Sequence, residues 1–195
     1  ALDGEDLDGP FARLHERLAA VLPHGSVRHE ARSLAATLGE LSSLLERRQS
    51  GEDADHTPVL VTVFALQRLR QLRPDDDLGG RDGGEPPAER FARILANGPE
   101  YGVHTLVWCD SLASVQRGLG RRSLRDFDQR ILFQMSAADS TELVDDDGAS
   151  RLGLHTALVA AQGEGRREKF RPFALPGPEF LARLAAALTA RFPRS

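Results

Sequence analysis

Lysine is the scarcest charged residue: it occurs once in 195 residues, at Lys169, although Lys and Arg together number 25. A phosphate-binding loop of the GxxxxGK kind needs a lysine inside a glycine-rich turn, where its ammonium reaches the β and γ phosphates. Lys169 stands in RREKF, so these residues contain no such loop. Cysteine is also single, at Cys109, which excludes an intramolecular disulfide and a cysteine-based metal site and suits a reducing compartment. The longest strongly apolar run, Pro58 to Leu66, is far shorter than the roughly 20 residues that cross a bilayer. ALDGEDLDGP at the start is acidic and lacks the basic and apolar regions of a secretory leader. These absences point to a soluble, cytoplasmic domain with no membrane segment.

What is present supports one folded domain. A hydrophobic fraction of 41% with 28% charged residues fits a globular chain, long enough for one core and short for two. The net charge is −4 and the pI is about 5.9, so a broad basic clamp on nucleic acid is excluded. Any contact with nucleic acid must come from a local patch.

Along the chain, residues 1–28 form a lead-in segment and a short helix. In that helix Phe11, Leu14, Leu18 and Val21 recur at helical spacing, and Pro10 suits the first turn. A second helix runs from about His29 to Arg48, with Leu34, Leu38, Leu41 and Leu45 on one stripe and Arg47 and Arg48 favourably near its C-terminus. Ser50 to His56 reads as an acidic loop. PVLVTVFAL at 58–66 has no polar alternation, which predicts a strand covered on both faces. QRLRQLR at 67–73 reads as a short basic helix or turn, and residues 74–88, rich in Asp, Gly and Pro, as a flexible surface loop.

A helix from about Pro87 to Ala96 leads to a second buried strand, VHTLVWC at 103–109. A helix over Leu124–Gln129 and a third strand, ILFQM at 131–135, follow. LHTALVAA at 154–161 and KFRPFAL at 169–175 read as two further strands, a hairpin or an antiparallel edge. An amphipathic helix closes the chain at 178–193, with Leu181, Leu184, Leu188 and Phe192 on one stripe. Alternating strands and helices predict a single three-layer α/β domain over 1–195, with a mostly parallel sheet.

From about Phe91 to Ala160 the chain resembles the second half of the motor domain of FtsK/SpoIIIE-type DNA translocases, RecA-like ring ATPases related to HerA. GVH at 102–104 matches a GIH segment of that family that leads into a strand. The string RILFQMSAADSTELVDDDGASRLG carries the rest: Arg130, Ser136, Asp139, Ser140, Leu143, Asp145, Gly148, Ala149, Leu152 and Gly153 stand in the family's order. LPH at 22–24 and LGELSSLLERRQ at 38–49 resemble the stretch before the family's Walker B strand, extending the likeness over roughly 20–175.

The resemblance implies a RecA-like P-loop NTPase core lacking its P-loop half, with ATP and Mg²⁺ as the family's cofactors. The implied partners are double-stranded DNA and other subunits or the missing motor half. The departures decide what survives. Phe64, Ala65 and Leu66 stand where the Walker B strand should end in an Asp-Glu pair, and none can bind a hard cation or polarise water. Cys109 and Asp110 replace a Thr-Gln pair that can sense the γ phosphate, and Thr141 replaces an arginine that often follows the Asp-Ser pair. The resemblance therefore implies a catalytically degenerate part of an ATP-dependent DNA-translocating or DNA-processing assembly, inactive and without cofactor on its own. The alternative is a non-catalytic interaction or oligomerisation module that keeps the motor fold.

Individual residues have competing readings. Asp110, at a strand's C-terminal end, is either the cap of the following helix or a nucleotide contact. Arg130 is either a structural partner of Asp139 or an arginine facing a neighbour's nucleotide. Ser140 reads as a helix N-cap, Cys109 as a core filler, and Trp108 as buried and so unable to stack on a base. Asp145, Asp146 and Asp147 read as a solvated turn, since adjacent side chains converge on one ion only in a caged loop. Among the basic stretches RLRQLR, RGLGRR and GRREKFR, the second supplies the DNA-contact candidates Arg117, Arg121 and Arg122. His24, His104 and His155 have no metal-ligand spacing. No paired carboxylates or nucleophile constellation support a small-molecule enzyme.

Overall fold

The computed structural model describes residues 1–4, 14–24, 26–55, 57–74 and 85–192. The expected helix start at Pro10 and Phe11, His56 of the acidic loop, and most of the loop at 74–88 lie outside these residues. The chain divides into two units, Ala1–Leu124 with Pro178–Ser195, and Arg125–Gly177.

The first unit is built on a parallel sheet of β1 (Leu2–Asp3), β2 (His29–Glu30), β3 (Val59–Phe64) and β4 (Val103–Val107), in the order β2-β1-β3-β4. Its helices are α1 (Leu14–Ala19), α2 (Leu34–Ser50), α3 (Pro87–Asn97), α4 (Leu112–Ser123) and α6 (Pro178–Arg191). The second unit has β5 (Gln129–Leu132), α5 (Ala137–Val144), β6 (Ala157–Ala161) and β7 (Arg166–Phe170). Its strands pair antiparallel in the order β5-β6-β7, as a sheet of their own. The class is three-layer α/β with a mostly parallel sheet, as in a RecA-like core.

The apolar periodicity explains which face of the parallel sheet is sealed. Val61 and Val63 of β3, Val103 of β4 and Leu2 of β1 point to one side and are buried there. Leu34, Leu38 and Leu45 of α2 and Phe91 and Ile94 of α3 are also buried, and α2 packs on α3. Each such side chain stabilises the core by about 1.5–3 kcal/mol. Arg48, in the last turn of α2, is buried as well. Its guanidinium donates to the carbonyls of Tyr101 (2.7 Å) and Thr57 (2.8 Å), fastening α2 to the chain ahead of β4 and β3. Gly51, at φ +77°, then ends the helix in the left-handed region that glycine tolerates best.

Several local expectations change. Among the described residues the strands at 58–66 and 103–109 are not fully covered on both sides: Leu60 is 65% and Leu106 55% exposed. A continuous apolar run reads the same whether or not a second layer is present to cover it. The second helix begins at Leu34, because His29 and Glu30 pair with β1. Residues 67–73 form two 3₁₀ turns, Leu66–Arg68 and Arg70–Leu72, and 124–129 only one, Leu124–Asp126. The strand expected at 169–175 ends at Phe170, ahead of Pro172, whose missing N–H suits a strand's end.

Candidate functional site

In an open α/β sheet, sites form beyond the carboxyl ends of the strands. At the end of β3 stand Phe64, Ala65 and Leu66. Ala65 adopts φ +51°, and both it and Leu66 are buried. The Leu66 amide donates to the Trp108 carbonyl at 3.2 Å, tying the two strand ends together. Its side chain lies under α4 at Gly118. An apolar residue locked into the core stands just beyond β3, where the family resemblance implies an acid.

At the end of β4 come Trp108, Cys109 and Asp110. Asp110 is exposed, and its Oδ1 accepts from the Ser111 hydroxyl at 3.1 Å. Ser111, not Asp110, caps α4, with its Oγ accepting from the Ser114 amide at 3.3 Å. The hydroxyl fits because the cap residue must reach the third amide ahead, and Asp110 lies one position too early. Cys109 is half-buried, its Sγ 3.8 Å from the Ser111 carbonyl, and burial pushes its thiol above the usual range. Trp108 is 39% exposed, against the expectation of burial, because it shares the open face with Leu106. Among the described residues no three His, Cys, Asp or Glu are placed to hold a metal ion. The donor set at these strand ends, one carboxylate among apolar groups, does not fit Mg²⁺ with a nucleotide triphosphate.

Two of the three basic stretches converge elsewhere in this unit. A cleft of about 870 Å³ is lined by Arg70 and Arg73 from the turn after β3 and by Arg121 and Arg122 from the end of α4. Glu89 is the one carboxylate among its described lining residues, and Leu72 and Phe91 belong to its apolar wall. Gly120 explains why the second pair departs from the helical path: at φ +71° and ψ +164° it breaks α4 just before them. Arg73 donates to the Gln67 carbonyl at 3.1 Å. Arg117 is exposed on α4 but does not line the cleft. Arg70 and Arg73 were not singled out from the sequence, although RLRQLR carried the signal.

The remaining candidates lie in the second unit. Arg130 of β5 donates to the Leu143 carbonyl, and Asp145 is a carboxylate that acts on it. Burial pulls its pKa below the usual arginine value, partly offset by Asp145. Ser136, not Ser140, caps α5, its Oγ accepting from the Asp139 amide at 3.1 Å. Ser140 is inside the helix and fully buried, donating to the Asp146 carbonyl and accepting from the Ala149 amide at 3.2 Å.

The three aspartates turn to different partners. Asp145 closes α5 in the left-handed region, Asp146 accepts from the Gly148 amide at 2.6 Å, and Asp147 pairs with Arg151. In GRREKFR, Arg166 pairs with Glu168 at 2.8 Å and Arg167 donates to the Val144 carbonyl at 2.7 Å.

No family model matches the chain, and no curated protein matches it. Solved structures do. One is the cytoplasmic domain of the type VII secretion ATPase EccC from Thermomonospora curvata, with a TM-score of 0.62 and 22% identity, covering 89% of this chain and 22% of that one. Another is EssC (ATPases 2 and 3) from Geobacillus thermodenitrificans, with a TM-score of 0.60 and 12% identity, covering 94% and 36% respectively. The likeness is one of fold, and it is to ATPase domains. The chain spans between about a fifth and a third of these chains.

Proposed function

We propose that the chain is the phosphate-loop-less part of an FtsK/SpoIIIE-type motor fold, at work inside a larger ATP-dependent DNA-translocating or DNA-processing assembly and not hydrolysing ATP with its own residues. The carrying observation is the buried Leu66 at the end of β3, in the place of a metal-binding acid. The fold likeness to EccC and EssC supports the motor part of this reading. Where the rest of the assembly brings a nucleotide, Asp110 is the residue of the first unit assigned to it, and Arg130 of the second unit is assigned separately to a neighbouring subunit's nucleotide. Asp110 would repel a triphosphate unless a cation intervened, and the Arg130 guanidinium already holds the Leu143 carbonyl.

The DNA part rests on the arginine cleft. Arg121 and Arg122, with Arg70 and Arg73 of the same cleft, would position a phosphate backbone without reading bases, and Arg117 would add a contact from outside the cleft. Duplex binding measured against salt tests this. Replacing Arg121 and Arg122 by Gln should weaken binding and reduce the salt slope by about 2, roughly one per lost phosphate contact. Unchanged affinity and slope would remove the DNA role. The second reading, a non-catalytic interaction or oligomerisation module, would then stand, and the open face at Leu60 and Leu106 favours it.

A further inference from the structure

β1 lies between two parallel neighbours: Leu2 and Asp3 pair with His29 and Glu30 of β2 on one side and with Val63 and Phe64 of β3 on the other. It therefore ends level with β3, just ahead of Ala65 and Leu66. Gly4 comes next. Its amide donates to the Phe64 carbonyl at 3.0 Å, and a Cβ on it would stand 2.8 Å from the Ala65 carbonyl oxygen, so only glycine fits against the turn after β3. Residues 5–13 lie outside the described residues, and α1 (Leu14–Ala19) follows them.

A strand, a glycine-spaced turn and a helix are the parts of a phosphate loop, strand–GxxxxGK[ST]–helix. From Gly4 onward the sequence reads Gly-Glu-Asp-Leu-Asp-Gly-Pro-Phe, with Gly4 and Gly9 at the loop's spacing. That spacing is a weak sign alone. Here it falls at the carboxyl end of a strand flanked on both sides, and its first glycine is required by contact. The groups that would hold phosphate are replaced one by one. Pro10 stands for the lysine and brings neither charge nor N–H, and Phe11 stands for the hydroxyl that binds Mg²⁺. Glu5, Asp6 and Asp8 fill the turn with negative charge, which repels a triphosphate.

We infer that residues 4–11 stand in the place of the phosphate loop and are an emptied one, closed to nucleotide by their own carboxylates. This deepens the proposed function and rests on its motor-fold reading. Leu66 stands beyond β3 where the resemblance implies an acid, and residues 4–11 remove the phosphate cradle from the neighbouring strand end. The chain then serves its assembly as a member that does not respond to nucleotide. No loop from another polypeptide is called for beside β3, because β1 already pairs there.

Equilibrium dialysis of the full chain against Mg²⁺-ATP, with the amide NMR shifts of Gly4 and Gly9 as the local readout, tests it. The native chain should hold no nucleotide above background and shift neither glycine. Asp6→Ala/Asp8→Ala/Pro10→Lys/Phe11→Thr rebuilds the loop, and it should bind Mg²⁺-ATP at least about ten-fold above that background while moving both amides. Glu5→Gln/Asp6→Asn/Asp8→Asn keeps the size of every side chain and takes over where the rebuilt variant does not fold; it too should bind above background, because the repulsion is gone. Native binding that shifts Gly4 and Gly9 would overturn the inference. So would background-level binding by a folded rebuilt variant or, in its place, by the isosteric one. Native binding without phosphate release would leave the non-hydrolysing reading standing, and a lost DNA role at Arg121 and Arg122 would leave the emptied loop standing.

Discussion

Gly118 of α4 lies so close to Leu66 that a Cβ on it would come within 2.9 Å of the Leu66 Cγ and Cδ2 atoms. The helix can rest on the end of β3 only because this side chain is missing. The glycine and the leucine fill one space between them, and the carboxylate expected at the leucine's position is excluded from it.

Gly118→Ala should therefore destabilise the first unit. Overpacking costs about 1–3 kcal/mol and the better helix propensity of Ala returns up to about 1, for a net loss of roughly 1–2 kcal/mol. Denaturant titration checks this. Gly153→Ala, where a Cβ would meet nothing within 4 Å, is the control and should leave stability of the chain within about 0.5 kcal/mol.

Arg48→Met should cost more. The apolar stem can be replaced, but the Tyr101 and Thr57 carbonyls lose their charged donor. A loss of roughly 2–4 kcal/mol follows from two charge-assisted bonds removed in a buried setting. Arg47→Met, next to it and exposed, should change stability by less than about 0.5 kcal/mol.

The hydrogen bond from Arg151 holds the Asp147 carboxyl below the usual aspartate value. A group whose pKa is depressed by folding favours the folded state above the ordinary carboxylate range, and that contribution fades as pH falls through its folded value. An NMR titration of Asp147 should show a midpoint below that of an unperturbed aspartate, and Arg151→Gln should move it back up. Because both side chains are exposed, global stability near neutral pH should scarcely change.

Much of this was legible in the residues. The helix expected from about Pro87 to Ala96 is α3, and the apolar runs located β3 and β4. The open face was not legible, because apolar residues at Leu60 and Leu106 look alike whether a second layer is present or not. β1 and β2 have two residues each and exist only through pairing with β3 and with each other, so no local pattern announces them. The cap serines were misplaced by one to four positions because Asp110, Ser111, Ser136 and Ser140 are all residue types that cap well. The convergence of Arg70 and Arg73 on Arg121 and Arg122 is tertiary, set by how α4 rests on the turn after β3.

Phosphate release from Mg²⁺-ATP, measured with the chain alone, tests the central claim most directly. With Leu66 buried at the end of β3 and no lysine-bearing phosphate loop in these residues, release should not rise above the blank at any nucleotide concentration. Saturable release that copurifies with the chain and is lost on replacing Asp110 would contradict the account, since it would mean that these strand ends assemble a working hydrolytic site.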